Sequence, residues 1–373
     1  MRGRNVFWLG VKELRSLARD PAMLGLIVYA FTLAIYAAAT ATPDTLNRAA
    51  LAIVDEDNSA LSLRIRSAFQ PPQFLPPHLA TLAEMDARLD AGTDTFALDI
   101  PPGFQRDVLA GRQPSVQLNV DATRVGQAFT GSAYIARIVS DETRAFVARD
   151  RPPEPPPVEL ALRARFNPEL DRGWFGAVME VINNVTMLSI VLTGAALIRE
   201  REHGAVEHLL AMPVSPVEIL TSKVWAMGLV VLSASMFALL VICRGLLGTP
   251  LAGSLPLLLA GAALHLFATT SMGVLLATVA RSMPQFGLLV ILVVLPLQML
   301  CGGVTPRESM PEIVQHLMLA APNTHFVIMA QAILFRGAGF DVVWPQFAWL
   351  ALIGGTLFGA ALARFRGALA AMA

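Results

Sequence analysis

Arg199-Glu-Arg-Glu-His-Gly-Ala-Val-Glu-His-Leu-Leu-Ala-Met-Pro-Val-Ser215 is a charged, amphipathic stretch wedged between two apolar runs, residues 174–198 and 224–243. Each run is long enough to cross a bilayer, which takes roughly 20 apolar residues. A charged helix between two such runs is badly placed to be a folding core. It is well placed to be gripped at a membrane surface. Taken as helical over 200–212, it puts Val206, Leu209 and Leu210 on one face and Glu200, His203 and Glu207 on another. The carboxylate face is expected to point outward. Pro213 ends the helix. Ser215-Pro-Val-Glu218 then has the form of a capping box, with proline at the first helical position.

The rest of the chain fits a membrane protein. Of 373 residues, 55% are hydrophobic and 15% charged, with mean hydropathy +0.57. A soluble domain carries about 25% charged residues, and the deficit here is concentrated in runs. Six spans are predicted, over residues 22–41, 174–198, 224–243, 251–280, 284–301 and 342–363. The net charge is zero without a basic tract, which argues against a nucleic-acid partner. Membrane lipid is the expected surround. Cys243 and Cys301 cannot form a disulfide framework. Either a single bridge or two buried thiols fits their positions.

Arginine and lysine set the orientation. Arg2, Arg4, Lys12, Arg15 and Arg19 precede the first span; Arg199, Arg201 and Lys223 follow the second; Arg281, Arg364 and Arg366 belong to the same side. The other side has only Arg244, Arg307 and Arg336 in its short loops. Both termini are therefore expected in the cytoplasm. Residues 1–20 read as an interfacial helix, with Phe7, Val11, Leu14 and Ala18 at helical spacing. Asp20-Pro21 offers a cap for the first span, 21–41. That run is too long for a cleaved signal, although Ala39-Thr-Ala41 has the form of a cleavage site.

Residues 42–165 are polar and proline-rich, enough for one external domain. Strand-like runs at 51–54, 95–98 and 116–120 alternate with helical ones, which suggests an α/β layer. Pro152-Pro-Glu-Pro-Pro-Pro157 reads as an extended linker. Asp55, Asp99 and Asp121 close the three strand runs. If the strands were parallel neighbours, the carboxylates would converge on a cation or basic ligand outside the strand ends. The alternative is that each caps a turn.

Inside the spans, Glu180, Asn183, Asn184, His265 and Gln298 are polar residues in apolar surroundings. They fit either a translocation path or dimer seam, or interhelical hydrogen bonds. His203, Glu207 and His208 lack the His-Glu-x-x-His order of a zinc site, and no metal is expected.

Five segments together resemble the membrane subunit of a type-2 ABC exporter of the bacterial multidrug type. They are Lys12-Glu-Leu-Arg-Ser-Leu-Ala-Arg-Asp-Pro21, Ile53-Val-Asp-Glu-Asp-Asn-Ser59, Phe166-Asn-Pro168, Arg199-Glu-Arg-Glu-His-Gly204 with Met212-Pro213, and Pro306-Arg-Glu-Ser-Met-Pro311. The resemblance implies an α-helical polytopic fold with an inserted external α/β domain. Residues 174–366 would form a five-helix membrane domain in the bacterial inner membrane. It implies that 199–215 is a coupling helix, with Glu200, His203, Gly204, Glu207, His208, Met212 and Pro213 docking on a separate ABC ATPase. It also implies an outer re-entrant hairpin within 302–340. Two six-span halves would pair as a homodimer or with a paralogue, with a periplasmic adaptor and an outer-membrane channel as further partners. No G-x-x-x-x-G-K-[ST] occurs in the chain, so ATP and Mg are expected on the partner and no catalysis here. The cargo implied is amphipathic or hydrophobic, moving outward. A membrane-anchored ligand-binding receptor or sensor is the main alternative. A secondary transporter would need paired internal repeats, which the chain does not show.

Overall fold

The computed structural model describes residues 3–40, 46, 48–123, 125–148, 166, 172–202, 214–303 and 305–370. His203, Gly204, Glu207, His208, Met212 and Pro213 lie outside the described residues, as does the proline-rich stretch 152–157. The chain divides into two compact units, Met1–Thr42 with Ala164–Ala373, and Pro43–Arg163.

The larger unit is helical. Among the described residues, six helical stretches are long and apolar enough to cross a membrane. The helix α1 (Gly3–Ala18) is followed by α2 (Pro21–Phe31) and α3 (Leu33–Thr40), which form one stretch broken at Thr32. The Thr32 hydroxyl bonds back to the Val28 carbonyl, a contact that bends helices. Asp20 caps α2 by accepting from Met23 N at 3.1 Å, with Pro21 at the first helical position. The longest central element is α8 (Arg172–Glu202), and α9 (Pro216–Phe237) continues into a π-helical turn, Ala238–Leu246. Then come α10 (Leu255–Val279) and α11 (Met283–Leu300). The short pair α12 (Glu312–Met318) and α13 (Pro322–Leu334) is bent by 88°. The final helix is α14 (Phe340–Ala370).

Burial sorts these helices. In α8, 83% of the apolar stretch is buried, against 17% in α11. The helix α8 is therefore the hub, and α11 presents Leu288, Ile291, Leu292, Leu295 and Met299 to whatever surrounds it. The α8–α10 crossing is close because Gly273 has no side chain: a Cβ there would stand 2.5 Å from the Ile190 carbonyl oxygen. Cys243 and Cys301 are free and buried.

The smaller unit is a four-stranded mixed sheet in the order β2-β1-β3-β4, with β1 Leu51–Asp55, β2 His78–Leu79, β3 Phe96–Ile100 and β4 Gln117–Val120. Its helices are α4 (Ala60–Ser67), α5 (Leu82–Asp90), α6 (Phe104–Leu109) and α7 (Val125–Val147). Leu51 and Ile53 pack on one face with Leu61 and Ile65 of α4 and Ile135 of α7; Ala52 and Val54 pack on the other with Met85 of α5. Burial on both faces explains why β1 is continuously apolar rather than alternating. Ser59 caps α4 through a reciprocal bond with Ser62.

The convergence of Asp55, Asp99 and Asp121 does not occur. Strand β4 runs antiparallel to β3, so Asp121 lies at the start of β3, where its N–H meets the Thr95 carbonyl at 2.9 Å. Asp99 pairs across the ladder with Val54, and Asp55 is the next residue along. Successive side chains in a strand point to opposite faces, so Asp55 and Asp99 face opposite sides of the sheet. Asp55 accepts from Asn58 N and Ser62 Oγ, and Asp121 from Thr123 N and Oγ1. Those two are turn and cap residues.

Candidate functional site

Four consecutive charged residues end α8, and each holds a different partner. The Arg199 guanidinium pairs with Asp20, the cap of α2. The Glu200 carboxylate pairs with Lys12 of α1 and lies 2.7 Å from Lys223 Nζ of α9. Arg201 donates to the Ala280 carbonyl and, at 3.5 Å, to the Ala277 carbonyl, at the C-terminus of α10. Glu202 Oε1 accepts from Met283 N at 2.9 Å, at the start of α11. A helix leaves its last carbonyls and first N–H groups unbonded, with matching partial charges. Arginine on the former and glutamate on the latter satisfy both.

The Glu200 contact corrects the expectation of an outward carboxylate face. Its side chain is 11% exposed, and Lys223 is wholly buried. Lys223 also reaches Glu13 Oε1 at 2.9 Å, while Lys12 lies 3.6 Å from the same oxygen. Two lysines and two glutamates from α1, α8 and α9 thus form one neutral cluster. Buried charges are tolerated only when paired this closely. Burial pushes the Glu13 carboxyl upward, against the pull of Lys223. Burial also opposes the charge on Lys12, but the Glu200 carboxylate outweighs it and raises that ammonium.

This cluster turns α1 about a quarter turn away from its apolar stripe. The buried face is Gly10, Glu13 and Leu17, and Phe7 remains half exposed. Gly10 lies against the Trp225 indole, which a Cβ would approach to 2.0 Å. The indole N–H donates to the Val6 carbonyl at 3.1 Å, and Phe7 stacks on the ring at 6.1 Å. At the start of α9 the Ser215 capping box forms: Ser215 N donates to Glu218 Oε2 at 3.0 Å, and Glu218 N to Ser215 Oγ at 3.3 Å.

At the middle of α8 the polar groups inside the bundle are hydroxyls, amides and one imidazole. The Thr186 hydroxyl donates to Asn323 Oδ1 of α13 at 2.7 Å and lies 2.9 Å from His265 Nε2 of α10. A hydroxyl carries one proton, so with Thr186 donating to Asn323 the imidazole is the donor in the His265–Thr186 contact. Ser189 donates to Thr269 Oγ1 at 2.6 Å, Asn323 Nδ2 donates to the Leu297 carbonyl at 3.2 Å, and His265 stacks on Phe326 at 4.1 Å. The α8, α10, α11 and α13 helices are tied together at this level. Asn184 donates to the Ala30 carbonyl at 2.8 Å and to Glu180 at 3.2 Å; Gln298 donates to the Asn183 carbonyl at 3.1 Å. Each makes an interhelical or local bond, and no bond joins Glu180 to His265 among the described residues. An apolar groove of about 350 Å³ runs beside them, lined by Met23, Met187, Met283, Phe286, Val290 and Gln298. Among the described residues no group of three or more histidine, cysteine or acidic side chains could hold a metal.

The family model for ABC-2 family transporter proteins matches residues 22–363, nearly the whole chain. The chain belongs to the ABC-2 transporter family. It is 62% identical over 370 residues to the inner membrane transport permease YhhJ of Escherichia coli K12, covering 99% of each chain. It is 27% identical over 360 residues to the probable multidrug ABC transporter permease YbhR of the same strain, covering 95% of this chain and 96% of the other. The probable multidrug ABC transporter permease YbhS of the same strain is 25% identical over 345 residues, covering 90% of this chain and 89% of the other.

In this ABC-2 transporter, sequence reasoning missed Glu13, Lys223, Arg201 and Glu202 as partners. One signal was present: Glu13 shares a helical face with Gly10 and Leu17, so it stands alone among small and apolar neighbours. It also missed Thr186, Ser189 and Asn323, whose hydroxyls and amide carry no charge to draw notice.

Proposed function

We propose that this ABC-2 chain is the permease subunit of an ATP-driven exporter, moving an amphipathic or hydrophobic substrate outward across a bacterial inner membrane. The observation that carries the reading is the set of four partnered charges at Arg199–Glu202. A separate ABC ATPase, with its own ATP and Mg, docks on the following segment through His203, Gly204, Glu207, His208, Met212 and Pro213. A displacement there passes through Glu200 to α1 and α9, and through Arg201 and Glu202 to the α10–α11 turn. Small shifts of packed helices are a common form of switching. Glu180, Asn183, Asn184, His265 and Gln298 line or brace the path beside the methionine-rich groove. Methionine adapts to cargo of irregular shape. The exposed face of α11 supports pairing with a second copy or a paralogue. The sheet-containing unit is assigned to the periplasm, where an adaptor leading to an outer-membrane channel would meet it.

The test uses the chain co-expressed with its ATPase in inverted membrane vesicles. With Glu200→Gln, ATP hydrolysis persists while ATP-dependent movement of a hydrophobic fluorescent dye is lost. Undiminished dye movement in that variant, or failure of any ATPase to co-purify with the wild-type chain, would sink the reading. Thiol labelling of a Gln113→Cys variant from outside the cell checks the orientation. Labelling only after lysis would place both units' sides the other way.

A further inference from the structure

A cavity of about 540 Å³ lies near the N-terminal end of α8, at the other end of that helix from Arg199–Glu202. Phe175, Val327 and Ile328 give it an apolar wall, and Arg307 and Arg336 supply two guanidiniums. Neither arginine forms an ion pair with any described residue, although Glu308 also lines the space. Arg307 Nε is buried without a hydrogen-bond partner. Such an orphan calls for an explanation, because an unbonded buried donor costs free energy. Gly302 (φ +92°) makes room for the arginine: a Cβ there would stand 2.9 Å from Arg307 Cγ. A second cavity of about 240 Å³ shares Phe175 and Arg336 and adds Trp174 and Phe335. Phe175 and Phe335 stack at 5.7 Å. The two spaces together offer a cationic head site and an aromatic tail site, with Arg336 in both.

We infer that this paired cavity binds an amphiphile with a single negative charge on its head, a carboxylate or phosphodiester. Two guanidiniums less one carboxylate leave one net positive charge, which matches a monoanion. Planar guanidinium forks suit the oxygens of those heads, and the aromatic space takes the start of an alkyl chain. Within the exporter reading, on which its use rests, this is a substrate site, and it narrows the cargo from amphipathic to anionic.

The experiment measures binding alone, with full-length chain in nanodiscs of uncharged-net phosphatidylcholine. The probe is 2-bromohexadecanoate, whose bromine sits beside the carboxylate and quenches tryptophan on contact. Saturable quenching is expected in the wild type and is lost in Trp174→Phe. Arg307→Gln with Arg336→Gln weakens it by about tenfold or more, the loss expected for charge-assisted hydrogen bonds. Arg336 is exposed, so Arg336→Gln alone keeps the fold and still weakens binding several-fold. Equal affinity in both arginine variants overturns the proposal. So does equal saturable quenching by a trimethylammonium probe of the same chain length with its bromine beside the head, or full displacement by inorganic phosphate at matching concentration. Nanodiscs containing phosphatidylglycerol separate the sources. Displacement of the probe assigns the site to an anionic lipid, and persistence assigns it to a free amphiphile; both support the anionic amphiphile. ATP and the ATPase are absent, so loss of transport in the Glu200→Gln experiment would leave this result intact, and the reverse also holds.

Discussion

The middle and the C-terminal end of α8 both fasten it to several other helices, but with different chemistry. At the middle, Thr186 and Ser189 use hydroxyls to reach His265, Thr269 and Asn323, and no formal charge is involved. At the end, Arg199–Glu202 use charges, and Lys223 is buried between two carboxylates. Neutral bonds inside a membrane are each worth little, on average about 0.6 kcal/mol. Breaking one partner out of a buried charge cluster costs about 3–5 kcal/mol. The difference teaches where the molecule can respond. A charged cluster has strong alternatives, in that losing or regaining one partner shifts the balance by several kcal/mol. A neutral hydroxyl network mostly sets position.

The largest effect expected is at Lys223. Lys223→Met leaves Glu13 and Glu200 buried with only Lys12 between them, and should destabilise the chain by about 3–5 kcal/mol. The triple variant Lys223→Met, Glu13→Gln, Glu200→Gln removes the stranded charges and should recover most of that loss. Thermal unfolding of the purified chain in nanodiscs reads both. A triple variant as unstable as the single one would break the comparison, because it would mean that Lys223 acts by packing and not by charge.

How much of this was legible depends on distance along the chain. The capping residues Ser215 and Asp20, the apolar runs and strand β1 are local patterns, and they fold as read. Glu200 was misread because a carboxylate at a span end fits either face of a helix until its partners are known. Those partners are 188 residues away at Lys12 and on a separate helix at Lys223. Lys223 itself was legible only as a marker of orientation. Strand β2 was missed because it has two residues, placed after Pro76 and Pro77. The antiparallel direction of β4 was equally hidden, since strand direction is a property of the ladder. That one direction separates Asp121 from Asp99.

A smaller effect is expected at the neutral network. Asn323→Ala removes the acceptor of the Thr186 hydroxyl, but Thr186 has a second acceptor in the Ile182 carbonyl at 3.1 Å. The Leu297 carbonyl loses its amide donor as well. A loss of about 1 kcal/mol is expected, read by the same unfolding assay. The hydrolysis-to-transport ratio should stay unchanged, unlike that of Glu200→Gln. A loss approaching that of Lys223→Met would erase the contrast between the two parts of α8.

The smallest effect sits at the exposed margin of the charged end, in Asp20. The backbone N–H of Met23 and the Arg199 guanidinium hold its carboxyl below the ordinary value of 3.8 despite some burial. The unfolded chain therefore protonates first as pH falls. Stabilisation from this group is fully present above that ordinary value and is lost as pH drops through the lower folded one. Asparagine caps a helix about as well as aspartate, so Asp20→Asn deletes only the charge facing Arg199. At pH 6 the variant should unfold slightly more easily than the wild type, by less than about 1 kcal/mol, as exposed pairs do. The gap should shrink as the pH is lowered below about 4. A gap that stays constant from pH 6 to pH 3 would show that Arg199 draws nothing from the Asp20 charge, and that the charged end of α8 is confined to its buried partners.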